Sequence, residues 1–372
     1  MNKIKQFFSS FSIISRTEMS TKKALLIRIG SFVLTFLIAM LLCSLIIKRN
    51  YFSIIGVLFK GAFSRPTKLI MDACLLLGFG VAIIPAFKMK YWNMGANGQV
   101  LVGALVAIVL MFYMDGFAQK TGFNNFILIL LMLICSILAS IIWAVIPAIF
   151  KVLFKTNETL FTLMMNYIAG CLVAYVNFVL AQGKQESPGI INLESQSGWL
   201  PVLFDKYLIP ILIIVLMTVF VYFYMTKTKH GFEVIVVGDS INTAKYVGMN
   251  TKKIIIRTLI LSGAMCGIIG FLYASAINQS INRDMCGSMG FTGILIAWLS
   301  NLNPLIMAGV SFILAFLTNG TSKISSVYHL GSNNLANVLI GMIFFSILVS
   351  EFFIRFRIKF NKVNEERGEN KC

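Results

Sequence analysis

Apolar residues fall in long runs, and the runs set the elements. The first covers residues 24–47 and is broken only by Arg28. A helix rises 1.5 Å per residue, so about twenty apolar residues in a row cross the roughly 30 Å core of a bilayer. This run is too long for a cleaved signal peptide and lacks a small-residue exit. Leu42 before Cys43 also argues against a lipoprotein cleavage site. Further runs at 69–87, 95–114, 126–150, 159–181, 207–225, 254–277, 290–299, 304–317 and 335–353 predict spans. The fold expected is all-α: a polytopic membrane protein of about ten transmembrane helices, some broken or short, with an internal repeat. The runs on either side of residues 301–304 are short for a bilayer and predict half-helices. The repeat is suggested by 75–110 and 260–300, each of which reads as helix, glycine-rich polar break, helix. Residues 1–23 and 354–372 are polar and basic and are expected as cytoplasmic segments flanking a transmembrane domain at 24–353.

Composition sharpens the class. The chain is 58% hydrophobic with 12% charged residues, too few charges to cover a soluble domain of 372 residues. A net charge of +18 would suggest nucleic acid in a soluble protein. Here the basic residues flank the apolar runs, so topology and lipid contact account for them and no nucleic-acid partner is expected. With both termini, 88–90, 151–155 and 227–257 inside, together with Arg28, 22 of the 32 Lys and Arg residues lie on the cytoplasmic side. KRNYFSIIGVLFKGAFSRPTK (48–68) is external in this arrangement despite five basic residues, and suits a helix lying on the outer face. The seven cysteines show no CxxC spacing and read as apolar fillers. The two histidines, His230 and His329, fall on opposite faces of the expected topology, and TNGTSK (318–323) fails the spacing of a phosphate loop. No catalytic, metal or cofactor site is expected.

Three polar stretches stand out against this background. NMGANGQ places Asn93, Gly95, Asn97, Gly98 and Gln99 between two spans. Amides in lipid must pair within the protein or line a wet cavity. Two readings stay open: a broken helix start whose amides meet a polar uncharged solute, or a tight connector whose amides cap helix ends. In KVLFKTNETLFTLMMNY, Asn157 or Thr156 can cap a helix beginning at Glu158, with Asn166 and Asn177 deeper along it as interhelical glue. Residues 227–253 form the longest internal cytoplasmic segment. There Ser240 or Asp239 can cap a short helix, INTAKYV, that Gly248 stops. Such a helix suits docking of a partner, and an ordinary loop with a helical turn fits as well.

Taken in order, these stretches resemble the permease subunits of bacterial ATP-driven (ABC) importers of nucleosides and simple sugars, the branched-chain amino acid and ribose type. WNMGANGQVLVGA is similar to their NIGAEGQ motif, TNETLFTLMMNYIA to the segment that follows, and VGDSINTAKYVGMNTKK to their cytoplasmic GENPEAARYAGI segment. SGAMCGIIG and GFTGILIAWLSNLNP match what comes next, so the likeness covers roughly residues 50 to 350. It implies a permease in a bacterial cytoplasmic membrane, without enzymatic activity of its own. Implied partners are an ABC ATPase, a second permease subunit and an extracytoplasmic substrate-binding protein. It further implies a coupling helix that carries Gly238, Asp239, Asn242, Ala244, Tyr246 and Gly248. Asn93, Gly95, Asn97, Gly98 and Gln99, with Phe291 and Trp298, are the candidates for the substrate path. Asn97 stands where the family commonly has Glu, and Asp239 and Thr243 replace the two acids of the coupling motif. A nucleoside is the solute expected, a simple sugar the alternative, and a secondary carrier without an ATPase the reading from another class.

Overall fold

The computed structural model describes residues 11–15, 21–181 and 189–329, and scattered positions from 338 to 360. They fall into two compact units, residues 62–316 and residues 1–61 with 317–372. The first unit opens with α3 (Pro66–Lys88), which follows α1 (Thr21–Ile47) and α2 (Tyr51–Ala62) of the other unit. Then come α4 (Ala96–Tyr113), α5 (Gly122–Phe154) and α6 (Glu158–Leu180). After a loop come α7 (Leu208–Lys227), α8 (Lys229–Asp239), α9 (Ile241–Tyr246) and α10 (Thr251–Leu272). A π-helical turn, Tyr273–Ile277, extends α10, and α11 (Met289–Leu299) and the start of α12 (Pro304–Val327) complete the unit.

Burial separates the core helices from those that meet lipid. Helix α3 is buried on every side from Ala73 to Phe87, the signature of a central helix. Helices α5, α6 and α7 instead turn large apolar side chains outward, among them Phe126, Leu138, Tyr175 and Phe220. Between apolar helices in lipid, close packing replaces the hydrophobic effect as the source of cohesion, and small residues permit it. Helix α10 meets α5 in this way. A Cβ on Gly267 would come within 2.6 Å of the Ile137 Cα, and one on Gly263 within 2.7 Å of the Ala144 Cβ. The Ser136 Oγ donates to the Gly267 carbonyl across this seam, and the Ser140 Oγ to the Gln99 carbonyl, both at 2.8 Å.

In the other unit, α1 (Thr21–Ile47) and α2 (Tyr51–Ala62) meet at a bend of 109°. The bend is made by Lys48, in left-handed backbone at φ 55°, and by the Ser44 Oγ donating to the Arg49 carbonyl at 2.7 Å. Leu58 of α2 packs over Gly320 of α12. A two-stranded antiparallel ribbon joins β1 (Phe11–Ser15) to β2 (Phe356–Phe360), with Phe11 opposite Phe360. It is the one departure from an all-helical fold among the described residues, and it ties the two terminal segments together.

Seven described helices are long and apolar enough to cross a membrane, or eight if the bent pair is one span. The expected ten are not reached among the described residues, and the last expected span, 335–353, lies largely outside them. The run at 290–299 does form a short helix of 11 residues. Its neighbour is no half-helix: α12 runs for 24 residues, because polar Thr318–Lys323 continues it as helix rather than ending it.

Candidate functional site

Helix α3 ends at Lys88, and Lys90, with φ 57°, reverses the chain. Residues 91–95 then run without helix, and α4 begins at Ala96. The depth of this break follows from its partners. The Asn93 Nδ2 donates to the Ser262 Oγ at 3.4 Å, and that hydroxyl donates to the Ala82 carbonyl at 2.7 Å. Ser262 stands eleven residues into α10, about 17 Å from its start. Asn166, eight residues or about 12 Å into α6, holds the break from the other side. It accepts from the Gly98 N–H and donates to the Met94 carbonyl, both at 2.8 Å. Helix α4 thus begins deep within the bundle.

Asn93 and Gln99 are buried, at 0% and 1% exposure, and their amides serve each other. The Gln99 Nε2 donates to the Asn93 Oδ1 at 3.2 Å, and the same oxygen accepts from the Gly95 N–H at 3.1 Å. Unpaired amides here would each cost about 1–3 kcal/mol, so the pairing fixes the break. Asn157 caps α6, accepting from the Thr159 and Leu160 N–H groups, while Lys151 pairs with Glu158 at 2.6 Å.

A second break answers the first. Beyond the π-turn the chain leaves helix until Met289. The Asn177 Nδ2, near the end of α6, donates to the Ile281 carbonyl at 2.8 Å. From there the chain descends alongside α6 to the start of α11. Asn97 ties the two breaks together: its Oδ1 accepts from the Gly290 N–H at 2.9 Å and its Nδ2 donates to the Gly287 carbonyl at 3.3 Å. Its oxygen therefore meets the positive end of α11, where an acceptor is favoured. Phe291 and Trp298 are exposed on α11, and Trp298 packs at a tilt against Trp92 of the first break with centroids 5.0 Å apart.

Helices α8 and α9 form a hairpin at the end of α3. The Ser240 Oγ accepts from the Thr243 N–H at 3.2 Å to cap α9, and Gly248, at φ 81°, ends it. Of the residues singled out here, Asp239, Asn242, Tyr246 and Gly248 are exposed, with Tyr246 at 92%. Gly238 and Ala244 are buried. A Cβ on Gly238 would collide with the Lys88 carbonyl, so the hairpin rests backbone to backbone on the end of α3. Arg257 of α10 anchors α8 through Glu233 at 2.6 Å, and this hydrogen bond holds the Glu233 carboxyl below its ordinary range. A cleft of about 220 Å³ opens beside Lys88, Thr226 and Asn303. It is smaller than the pockets of about 300 Å³ and more that enclose small molecules.

Residues 69–348 match the family model described as "Branched-chain amino acid transport system / permease component". The chain belongs to this permease family. It is 28% identical over 254 residues to the guanosine ABC transporter permease protein NupP of Bacillus subtilis, covering 67% of this chain and 69% of that one. A glucose ABC transporter permease protein, TsgB13 of Haloferax volcanii, is 25% identical over 307 residues, covering 78% of each. The nucleoside ABC transporter permease protein NupB of Lactococcus lactis is 24% identical over 261 residues, covering 67% of this chain and 70% of that one. No solved structure gives a significant match. The chain is thus a multi-pass membrane protein of the ABC permease family. In this permease, residues 282–284, 287 and 288 face outward at the second break, while Met285 and Cys286 between them are buried. Sequence reading placed the second break at CGSMGFTG (286–293) and passed over residues 282–285, because a connector outside the bilayer and a break inside it look alike in composition.

Proposed function

We propose that this permease forms the translocation path of an ATP-driven importer for nucleosides or related polar uncharged solutes. The family match supports it, together with the two named nucleoside and guanosine permeases. The observation that carries it beyond the family is the α8–α9 hairpin. Its Tyr246, Val247 and Ile241 form an apolar edge left exposed by the described residues, while its base is fixed to α3 through Gly238. That is the form a coupling helix needs: one side free for a cytoplasmic ABC ATPase, the other locked to the bundle. ATP hydrolysis belongs to that ATPase, a second permease subunit completes the path, and an extracytoplasmic binding protein delivers the solute. The setting is the bacterial cytoplasmic membrane with both termini cytoplasmic, which the basic residues and the β1–β2 pairing favour. In the path, Asn93, Gly95, Gly98 and Gln99 build the first break, while Asn97, Phe291 and Trp298 stand nearer its open side. The glucose permease relative keeps a simple sugar as the second reading.

The test is uptake into proteoliposomes holding this permease with its partner permease and ATPase. ATP-dependent accumulation of guanosine is expected, and glucose accumulation in its place would favour the sugar reading. Accumulation that persists without the ATPase would sink the importer and favour a secondary carrier.

A further inference from the structure

We infer that the outward face of residues 282–288 is a water-filled wall of the path and that Arg283 and Asp284 on it contact the hydroxyl groups of the solute. This deepens the proposed function and rests on it. Depth is the starting point. The break is pinned to Asn177 at one end and, through Asn97, Gly98 and Asn166, at the other. Those two α6 residues are eleven apart, about 17 Å along the helix. The Arg283 side chain crosses α6 between them: a Cβ on Gly170 would lie 3.3 Å from its Nε. Gly170 is twelve residues from the start of α6 and ten from its end, so the guanidinium lies near mid-span.

The segment also has two faces. Ile281, Met285 and Cys286 are buried, whereas Asn282, Arg283, Asp284, Gly287 and Ser288 are exposed. Among the described residues, no ion pair joins Arg283 or Asp284 to another group. Charged groups at this depth do not face hydrocarbon; they face protein or a wet cavity. Exposed Asn282, Arg283 and Asp284, then Ser288 beyond the buried Met285 and Cys286, with half-exposed Asn97 beside them, fit the wet cavity. Its chemistry can hold a neutral polyhydroxyl solute, the class proposed above. A carboxylate accepts from two hydroxyls, a guanidinium donates to hydroxyl or carbonyl oxygens, and Phe291 offers a face for a ring. The π-turn at Tyr273–Ile277 gives the helix a place to break.

The experiment labels single cysteines in the assembled complex with a permanently charged methanethiosulfonate supplied on both sides, read by peptide mass. Ser288→Cys is expected to react within about tenfold of the loop control Leu203→Cys, while Leu138→Cys on the outward face of α5 stays unreacted. If Ser288→Cys is as inert as Leu138→Cys, the wall is not wet and the inference falls. Asp284→Asn and Arg283→Gln are then compared for guanosine and glucose uptake. Each is expected to raise KM at least tenfold for the transported solute, with the ATPase still co-purifying. An unchanged KM in both overturns the solute contact. Uptake without ATPase would count against the importer alone, because the labelling result does not depend on the energy source.

Discussion

Asn97 is the residue with most at stake. Its amide both donates and accepts, and both bonds join one break to the other. Asn97→Leu loses both and is expected to destabilise the purified permease by about 1–3 kcal/mol, read as a lowered Tm. Asn97→Glu keeps an acceptor at the positive end of α11 but cannot donate to Gly287 when ionised, so a smaller loss is expected. At the coupling end, exposure decides which substitutions report docking. Ala244 is fully buried, so a bulky group there would disturb the hairpin itself. Tyr246→Glu and Val247→Asp are the better probes: co-purification with the ATPase should be lost while the permease melts as before. Glu233 supplies a pH test. Its pKa is depressed by Arg257, so its contribution is present above the ordinary glutamate range and is lost as pH falls through the lower native value. A melting temperature that drops as pH falls through and below the ordinary glutamate range, with the drop reduced in Arg257→Gln, is expected.

At the level of elements, the long helices were legible because an uninterrupted apolar run admits few alternatives in a bilayer. The caps were legible too: Asn157 and Ser240 stand where their side chains accept from free N–H groups. Asn166 and Asn177 act as glue, as expected: Asn166 holds the first turn of α4 and the break before it, and Asn177 holds the backbone of the second break. Depth was not legible. A chain that turns back into the bundle has the same polar, glycine-rich composition as one that stays outside, so Arg283 was counted among external charges. The length of α12 was missed for the converse reason, since polar residues can stay helical when neighbouring protein shields them. Gly238 gives the sharpest test at this scale. Gly238→Val must push α8 away from the end of α3, and ATP-dependent uptake is expected to fall at least tenfold while α9 still binds the ATPase.

For the molecule as a whole, helix, break and helix recur in both halves, running in opposite directions along the bundle. Such paired interruptions are where carriers place their solute, and motion between the halves alternates access. The two breaks also share a single pin. Because Asn97 belongs to one and is bonded to the other at two points, neither can swing alone without tearing the amide free. The pair has one degree of freedom where two would be expected. In the importer proposed above, that shared pin would disfavour a leak state with both leaves open by about 1–3 kcal/mol, the worth of its bonds, and would favour one passage per hydrolytic cycle. Loosening the pin should therefore appear first as slippage, with ATP consumed and nothing carried, before it appears as unfolding.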